Sequence, residues 1–328
     1  MDRFNWGIIG PGNIAADFAN DLNLIAAVPQ QIKAVLLHTP DSGEPFLKKF
    51  AVENVFTDIH KFLQSGLDAV YIATPHTFHQ QALTCLQHGI PVLCEKPVTI
   101  NTHQLDELIQ ASQNHDVFLM EGMWTRFLPS IKKTLEILQE GGIGRIISVR
   151  ANMSFRAPPD NDNRYFNPDL GGGSLLDLGV YPVFFATLLL GKPHSIKAVA
   201  IVSERGVDQA CSILMNYDNG QYAVLESSLV TQTEMIAEIA GDKGRIKILD
   251  PWTEKPSGIM LEIYDEVKME FPCKWEGRGF QFEMAEVIQC IGQKRIESPL
   301  MPLSLSMQVM QIMDEVRSQV NVRYKKFE

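Results

Sequence analysis

Through the first third of the chain, short apolar runs recur at 6–9, 32–37, 68–73, 90–94 and 117–120. Between most of them lie stretches with apolar positions at helical spacing, such as 79–88 and 101–115. Short continuous apolar runs suit strands buried on both faces, and their alternation with helices predicts βαβ units in a doubly wound parallel sheet. After about residue 122 the rhythm changes. A helical pattern over 129–140 stops at Gly141-Gly142, and a strand is expected over 145–154. A loop rich in Pro, Asp and Asn (157–169) leads through "GGGS" to a helix over 174–190. Closely spaced strands follow at 195–204, 210–217, 221–231, 234–240 and 244–249, with hairpin chemistry in "DNG" (218–220) and "GDKG" (241–244). Helical patterns at 279–292 and 303–319 complete the chain. The pattern therefore predicts an α/β domain, 1–122, followed by an α+β domain, 123–328, built on a large, mostly antiparallel open sheet.

Composition narrows the function classes. The 328 residues are 45% hydrophobic and 21% charged, with a net charge of -10. That is ordinary for a globular protein, and it opposes a duplex-binding surface, which needs clustered Lys and Arg against phosphate. The five cysteines are odd in number and widely spaced, with no C-x-x-C pair. Zinc is not expected, and reduced thiols in the cytoplasm are. The longest apolar stretch, Val180–Leu190, is too short to span a membrane and contains Pro182. The expected ligands are small molecules, with neither nucleic acid nor membrane as partner.

Three short stretches carry candidate chemistry. The first is "WGIIGPGNIAADFA", in which Gly10, Gly12 and Ala15 form G-x-G-x-x-A between a strand and a helix. Gly10 permits a tight turn, Gly12 admits a pyrophosphate close to the backbone, and Ala15 allows helix–sheet packing. Asn13 and Ile14 open the helix whose N-terminus would face that anion. The same small residues also serve a purely structural turn. The second strand ends at His38 and Thr39, without the carboxylate that would hold the ribose hydroxyls of NAD. Nothing there repels a 2′-phosphate, so NADP is preferred to NAD as the expected cofactor.

The second stretch is "VLCEKPVTI" (92–100), an apolar run ending in Glu95, Lys96 and Pro97; the third is "GGGSLLDLGVYP" (171–182). Glu95 and Lys96 are either a solvated edge pair or a functional pair at the carboxyl end of a parallel strand, where open sheets place ligands. "ATPHTFH" (73–79) ends the neighbouring run in the same way. Ser174 and Asp177 have capping-box spacing, so Asp177 either satisfies a helix start or faces a ligand. Tyr181, four residues on, is either a core residue or its companion. A glycine triplet at 171–173 suits close approach of backbone to a ligand.

Gly10-x-Gly12-x-x-Ala15, "EKP" at 95–97 and "GGGSLLDLGVY" at 171–181 resemble the glucose-fructose oxidoreductase / inositol dehydrogenase (Gfo/Idh/MocA) family, over essentially the whole chain and in order. "EGMWTRFLP" (121–129), "LLDLGVY" and "WEGRGFQFE" (275–283) resemble its dimeric dihydrodiol dehydrogenase branch, whose members also oxidise D-xylose with NADP. The resemblance implies a Rossmann domain and an NAD(P)-dependent hydride transfer to or from a sugar, polyol or cyclic diol hydroxyl. It implies that Lys96, Asp177 and Tyr181 are catalytic and that the Lys96–Pro97 peptide is cis. A phenol titrates near ~10, so Tyr181 needs a nearby cation such as Lys96 to act as a base. Thr74, Pro75, His76 and Glu95 would line the cofactor. Arg126, Arg156 and Arg164 are implied substrate contacts. Relatives pair through the second sheet, so a homodimer or homotetramer is expected. The tip at His38 departs from the branch, whose members carry Arg near that position. The alternative is a non-catalytic NAD(P)-sensing regulator of the same fold, which would keep the glycine loop and lose Lys96, Asp177 or Tyr181.

Overall fold

The computed structural model describes residues 3–25, 28–158 and 163–328, so positions 159–162 of the polar loop expected at 157–169 lie outside the described residues. The chain forms two compact units, each described by itself. Unit 1 comprises 1–99, 103–124 and 276–303; unit 2 comprises 100–102, 125–275 and 304–328. Unit 1 is discontinuous: its first stretches end at Trp124, and 276–303 belongs with them.

Unit 1 is a six-stranded sheet. Its strands are β1 (Phe4–Ile9), β2 (Gln30–Leu36), β3 (Val52–Phe56), β4 (Ala69–Ile72), β5 (Val92–Glu95) and β6 (Leu119–Gly122). Their order is β3-β2-β1-β4-β5-β6, and every neighbouring pair is parallel. This is the doubly wound order whose switch point, between β1 and β4, opens a crevice at the strands' carboxyl ends. The helices between strands are α1 (Asn13–Asp21), α2 (Glu44–Lys49), α3 (Ile59–Leu63), α4 (His79–Gln87) and α5 (Thr102–His115). Strand β3 has no counterpart among the five apolar runs. It is an edge strand whose Glu53 and Val55 face solvent, and its sequence alternates instead of running apolar.

The late segment joins this unit for a definable reason. Helix α8 (Phe280–Gly292) starts at Gly279, which has no side chain to cap it. Asp21, at the end of α1, supplies the cap: its Oδ2 accepts N–H bonds from Arg278 at 2.9 Å, Gly279 at 2.9 Å and Phe280 at 3.1 Å. A methyl group on Gly277 would come 2.5 Å from Asp21 Oδ1, so glycine at 277 lets the chain close on that carboxylate. Phe280 also meets Phe18 of α1 edge-on at 6.1 Å and stacks on Trp124 at 4.7 Å.

Unit 2 is built on an eight-stranded sheet. It contains β7 (Ile146–Ser154), β8 (Ser195–Val202), β9 (Asp208–Asn216), β10 (Tyr222–Ser228), β11 (Ala237–Gly241), β12 (Gly244–Ile248), β13 (Gly258–Ile263) and β14 (Val267–Pro272). The order is β14-β13-β12-β11-β7-β10-β9-β8, antiparallel throughout except for β7 against β10. Both predicted hairpins form, with Tyr222 opposite Asn216 and Ala240 opposite Arg245. Helix α6 (Pro129–Gln139) precedes the sheet, and α9 (Leu303–Val320) follows it. Helix α7 (Val180–Leu190) is apolar all round and buried from Val180 to Thr187, as a core helix should be. By length and composition the run 168–190 could cross a membrane, contrary to the shorter stretch read from sequence, yet 83% of that apolar window is buried inside the fold. A π-helical turn, Leu175–Gly179, leads into α7. Pro182 has no N–H for the carbonyl of 178 and its ring crowds that carbonyl; a widened turn just before it relieves both problems.

Candidate active site

The glycine loop and the two strand ends assemble in unit 1. Gly10 has φ +80°, and a methyl group there would come 2.6 Å from Thr74 Cγ2, so the β1 and β4 ends pack with no room for a side chain. A methyl on Gly12 would meet nothing within 4 Å. The space above that residue is open, and the first N–H groups of α1 point into it without intrahelical partners, as at every helix start. Asn13 and Ile14 are exposed on this turn. The arrangement fits a pyrophosphate against a helix N-terminus. At the end of β2, His38 and Thr39 are exposed; the Thr39 N–H bonds Ser42 Oγ at 3.0 Å, closing the turn that carries Asp41. Thr74 donates to Gln81 at 2.7 Å, and Pro75 and His76 open the short turn into α4; all three are half-buried.

Glu95 and Lys96 are no loose surface pair. Tyr71 of β4 donates its hydroxyl to Glu95 Oε1 at 2.6 Å, and the Lys96 N–H donates to Oε2 at 3.2 Å. The Lys96–Pro97 peptide is cis. Beyond it, the Val98 N–H bonds Glu121 Oε1 of β6 at 3.2 Å. Burial, then the charges of Glu95 and Glu283, push the Tyr71 phenol well above its ordinary range, so it remains a donor to Glu95. Phe18 stacks on Tyr71 with ring centres 3.9 Å apart. Thus α1, β4, β5 and β6 all brace the turn that presents the half-buried Lys96.

Asp177 and Tyr181 lie together in unit 2, both buried, on the π turn and the first turn of α7. The capping box read at Ser174 and Asp177 does not form. Ser174 makes no side-chain cap; instead its hydroxyl donates to Asp208 Oδ2 at 2.6 Å, and the Leu175 N–H donates to the same oxygen at 2.7 Å. Asp208, from the start of β9, is the acceptor at this helix start. Asp177 meets Arg164 at 3.3 Å instead. Burial works against the Arg164 charge, but Asp177 and Tyr165 outweigh it and hold its pKa above the ordinary value.

The glycine triplet also serves the fold. A methyl on Gly172 would lie 2.7 Å from backbone atoms of Arg164, Tyr165 and Asn167, and one on Gly173 2.5 Å from Asp208 Oδ1. The close approach expected toward a ligand is therefore made by protein at these two positions. Tyr324 adds its hydroxyl to the Gly172 carbonyl at 2.6 Å.

The three arginines separate. Arg164 joins Asp177, whereas Arg126 is half-buried in the turn Trp124–Phe127, at the start of unit 2. Arg156 is exposed on a cavity of about 530 Å³ with Arg205, Phe166 and Gln209. Sequence reading missed Asp21, Tyr71, Glu121, Asp208 and Glu283. One of these had a signal: Phe280, Glu283, Val287 and Cys290 share one helical face, so a carboxyl sits in an apolar stripe. Asp208 has none, being one acid ahead of a strand.

Residues 4–123 match the family described as "Oxidoreductase family, NAD-binding Rossmann fold", and residues 131–247 match the GFO/IDH/MocA C-terminal domain. The trans-1,2-dihydrobenzene-1,2-diol dehydrogenase of Xenopus laevis is 33% identical over 97% of this chain and 98% of its own. The Homo sapiens enzyme of the same name is 30% identical over 97% of both. Among solved structures, KijD10, a 3-ketoreductase from Actinomadura kijaniata in complex with NADP and TDP-benzene, superposes with a TM-score of 0.85 at 25% identity, over 97% of this chain and 98% of its own. An aldose-aldose oxidoreductase from Caulobacter crescentus shares the fold, with a TM-score of 0.87 at 19% identity over the same shares.

Proposed function

Because this chain belongs to the GFO/IDH/MocA family of NAD(P)-binding oxidoreductases, we propose that it oxidises or forms the CH–OH group of a sugar, polyol or cyclic diol, in the manner of the dihydrodiol dehydrogenases. Gly10, Gly12, Asn13 and Ile14 would hold the pyrophosphate, His38 and Thr39 a 2′-phosphate, and Thr74–His76 with Glu95–Pro97 the nicotinamide end. When bound, the nicotinamide supplies the two-electron chemistry, accepting or giving a hydride.

The residues of the chain handle the oxygen and its proton. In oxidation, Tyr181 acts as the phenolate and takes the substrate O–H proton, becoming the phenol as the carbonyl forms. The Lys96 ammonium donates to the substrate oxygen and stabilises the negative charge that develops there. Asp177, held by Arg164, orients the substrate hydroxyl or relays the proton. In reduction the proton returns along the same groups.

The observation that carries this reading is the fate of the helix start. Asp208 takes up the Leu175 N–H and the Ser174 hydroxyl, so the cap is no reason for a buried Asp177 one turn before a buried Tyr181. The test is turnover of NADP with a panel of sugars and trans-diols. Lys96→Met and Tyr181→Phe are each expected to lose at least about a hundredfold in kcat, about 2.7 kcal/mol, while NADPH fluorescence still reports binding. Full activity in both variants overturns the assignment.

NADP is the preferred cofactor in this proposal, since the exposed β2 tip presents His38 and Thr39 and no carboxylate. The enzyme works in the cytoplasm, where five free thiols stay reduced. It assembles as a dimer or tetramer through the outer face of the unit 2 sheet, supported by exposed Val199, Ile201 and Leu214 on β8 and β9.

A further inference from the structure

Asp208, the first residue of β9, is a buried carboxyl whose Oδ1 has no hydrogen-bond partner among the described residues. Burying such a group is costly, and a helix start does not require it, since a serine, threonine or asparagine at the cap position takes up a free N–H locally. Ser174 stands at that position and makes no cap. Its hydroxyl turns away to Asp208 Oδ2 at 2.6 Å and lies 3.0 Å from Ser227 Oγ of β10. The Leu175 N–H donates to the same Oδ2 at 2.7 Å. That oxygen accepts both bonds whether or not Oδ1 carries a proton.

A local cap satisfies an N–H but does not fix a helix to its sheet. Asp208 does both, because β9 is itself held between β8 and β10. The π turn meets this sheet at its two ends. At the first, the Leu175 N–H is bonded to Asp208. At the last, a methyl group on Gly179 would come 3.1 Å from Ser227 Oγ and 3.0 Å from Leu175 Cδ1, so the turn lies close against β10. Gly173, with φ +129°, leaves room for the Asp208 carboxyl where any side chain would displace it. Asp177 is midway along this turn, and Tyr181 is one helical turn beyond it.

We infer that Asp208 is a positioning residue: it ties the first N–H of the π turn to the sheet and so sets where Asp177 and Tyr181 stand. The inference rests on the proposed catalytic roles of those two residues and names what holds them. Without the carboxyl, the Ser174 hydroxyl still has Ser227 within reach, but the Leu175 N–H is left without an acceptor. The turn then loses its only bond to β9, and a small displacement of a reacting group lowers the rate far more than it lowers binding. An asparagine oxygen accepts from the same N–H, so Asp208→Asn keeps the tie and Asp208→Ala cuts it.

The full-length chain, D208A and D208N are compared in two ways, well below their melting temperatures. In hydrogen exchange, the amides of 172–181 are expected to exchange at least about tenfold faster in D208A, and at nearly the wild-type rate in D208N. In turnover of the sugar or trans-diol that the substrate panel selects, D208A is expected to lose at least about tenfold in kcat with KM for NADP unchanged, and D208N to recover most of that loss. A merely structural role would lower the melting temperature and leave kcat per folded molecule where it was. Unchanged exchange in D208A overturns the inference, as does faster exchange with an unchanged kcat. A D208N enzyme as impaired as D208A also overturns it, since the acceptor would then not be what matters. Exchange needs no substrate, so the two readings fail separately: a fully active Tyr181→Phe sinks the catalytic one, and protected amides in D208A sink this one. If D208A does not fold, Asp208→Ser, whose hydroxyl is too short to reach Leu175, takes its place in both measurements.

Discussion

At the scale of single residues, the question is which side chains have a purely structural role and which remain for chemistry. Ser174 and Gly173 are used by the fold, against Asp208. Glu95 braces its own turn, and Asp177 is tied to Arg164. His38 is exposed, and its proposed partner is a 2′-phosphate. Replacing it by Asp sets a carboxylate against that phosphate, and like charges in a binding site cost several kcal/mol. His38→Asp is expected to lower kcat/KM for NADP by at least about tenfold, about 1.4 kcal/mol, and to raise the share of NAD-linked turnover. Steady-state kinetics with both cofactors checks this, and an unchanged ratio would remove His38 from the cofactor site. Lys96, Asp177 and Tyr181 are proposed from motif position, and their roles await the turnover tests above. The residues that support them were not legible, because Asp208 and Glu121 act across long stretches of sequence, where spacing carries no information.

At the scale of elements, β3, β13 and β14 were missed, whereas the edge strands β6 and β8 were read from their apolar runs and hairpin chemistry. β3 alternates because solvent covers one of its sides, and β14 carries charges at Lys268 and Glu270 for the same reason. The α7 helix was legible; its π turn was not, since the widened register follows from Pro182 only once the helix is packed. The junction of α1 and α8 was equally hidden. Asp21 reads as a polar residue at a helix end, yet it is buried and accepts three N–H bonds from the other helix start. Removing an ionised acceptor strands those donors, at about 1.5–3 kcal/mol for a charged hydrogen bond. Asp21→Ala is expected to destabilise the protein by about 3 kcal/mol, with Asp21→Asn intermediate. Urea denaturation is the check, and a change under about 0.5 kcal/mol would place α8 under other control.

At the scale of the whole molecule, the two fold classes were legible, because a run of buried parallel strands and a run of hairpins have different periods. The discontinuity of the units was not. The outer sheet face carries Val199 at 70% exposure and Ile201 at 59%, which motivates the proposed assembly. Sedimentation at micromolar concentration is expected to give a dimer or tetramer, and Val199→Lys with Ile201→Glu to shift it toward monomer. A wild-type chain that sediments only as monomer refutes the assembly. The return of residues 276–303 has a further consequence, for synthesis. A ribosome delivers the six-stranded sheet early, but Asp21 must wait for a partner made more than 250 residues later. Until then its carboxylate and the aromatic face of Phe18 stand uncovered, so the nucleotide-binding half is not finished until most of the protein has been made.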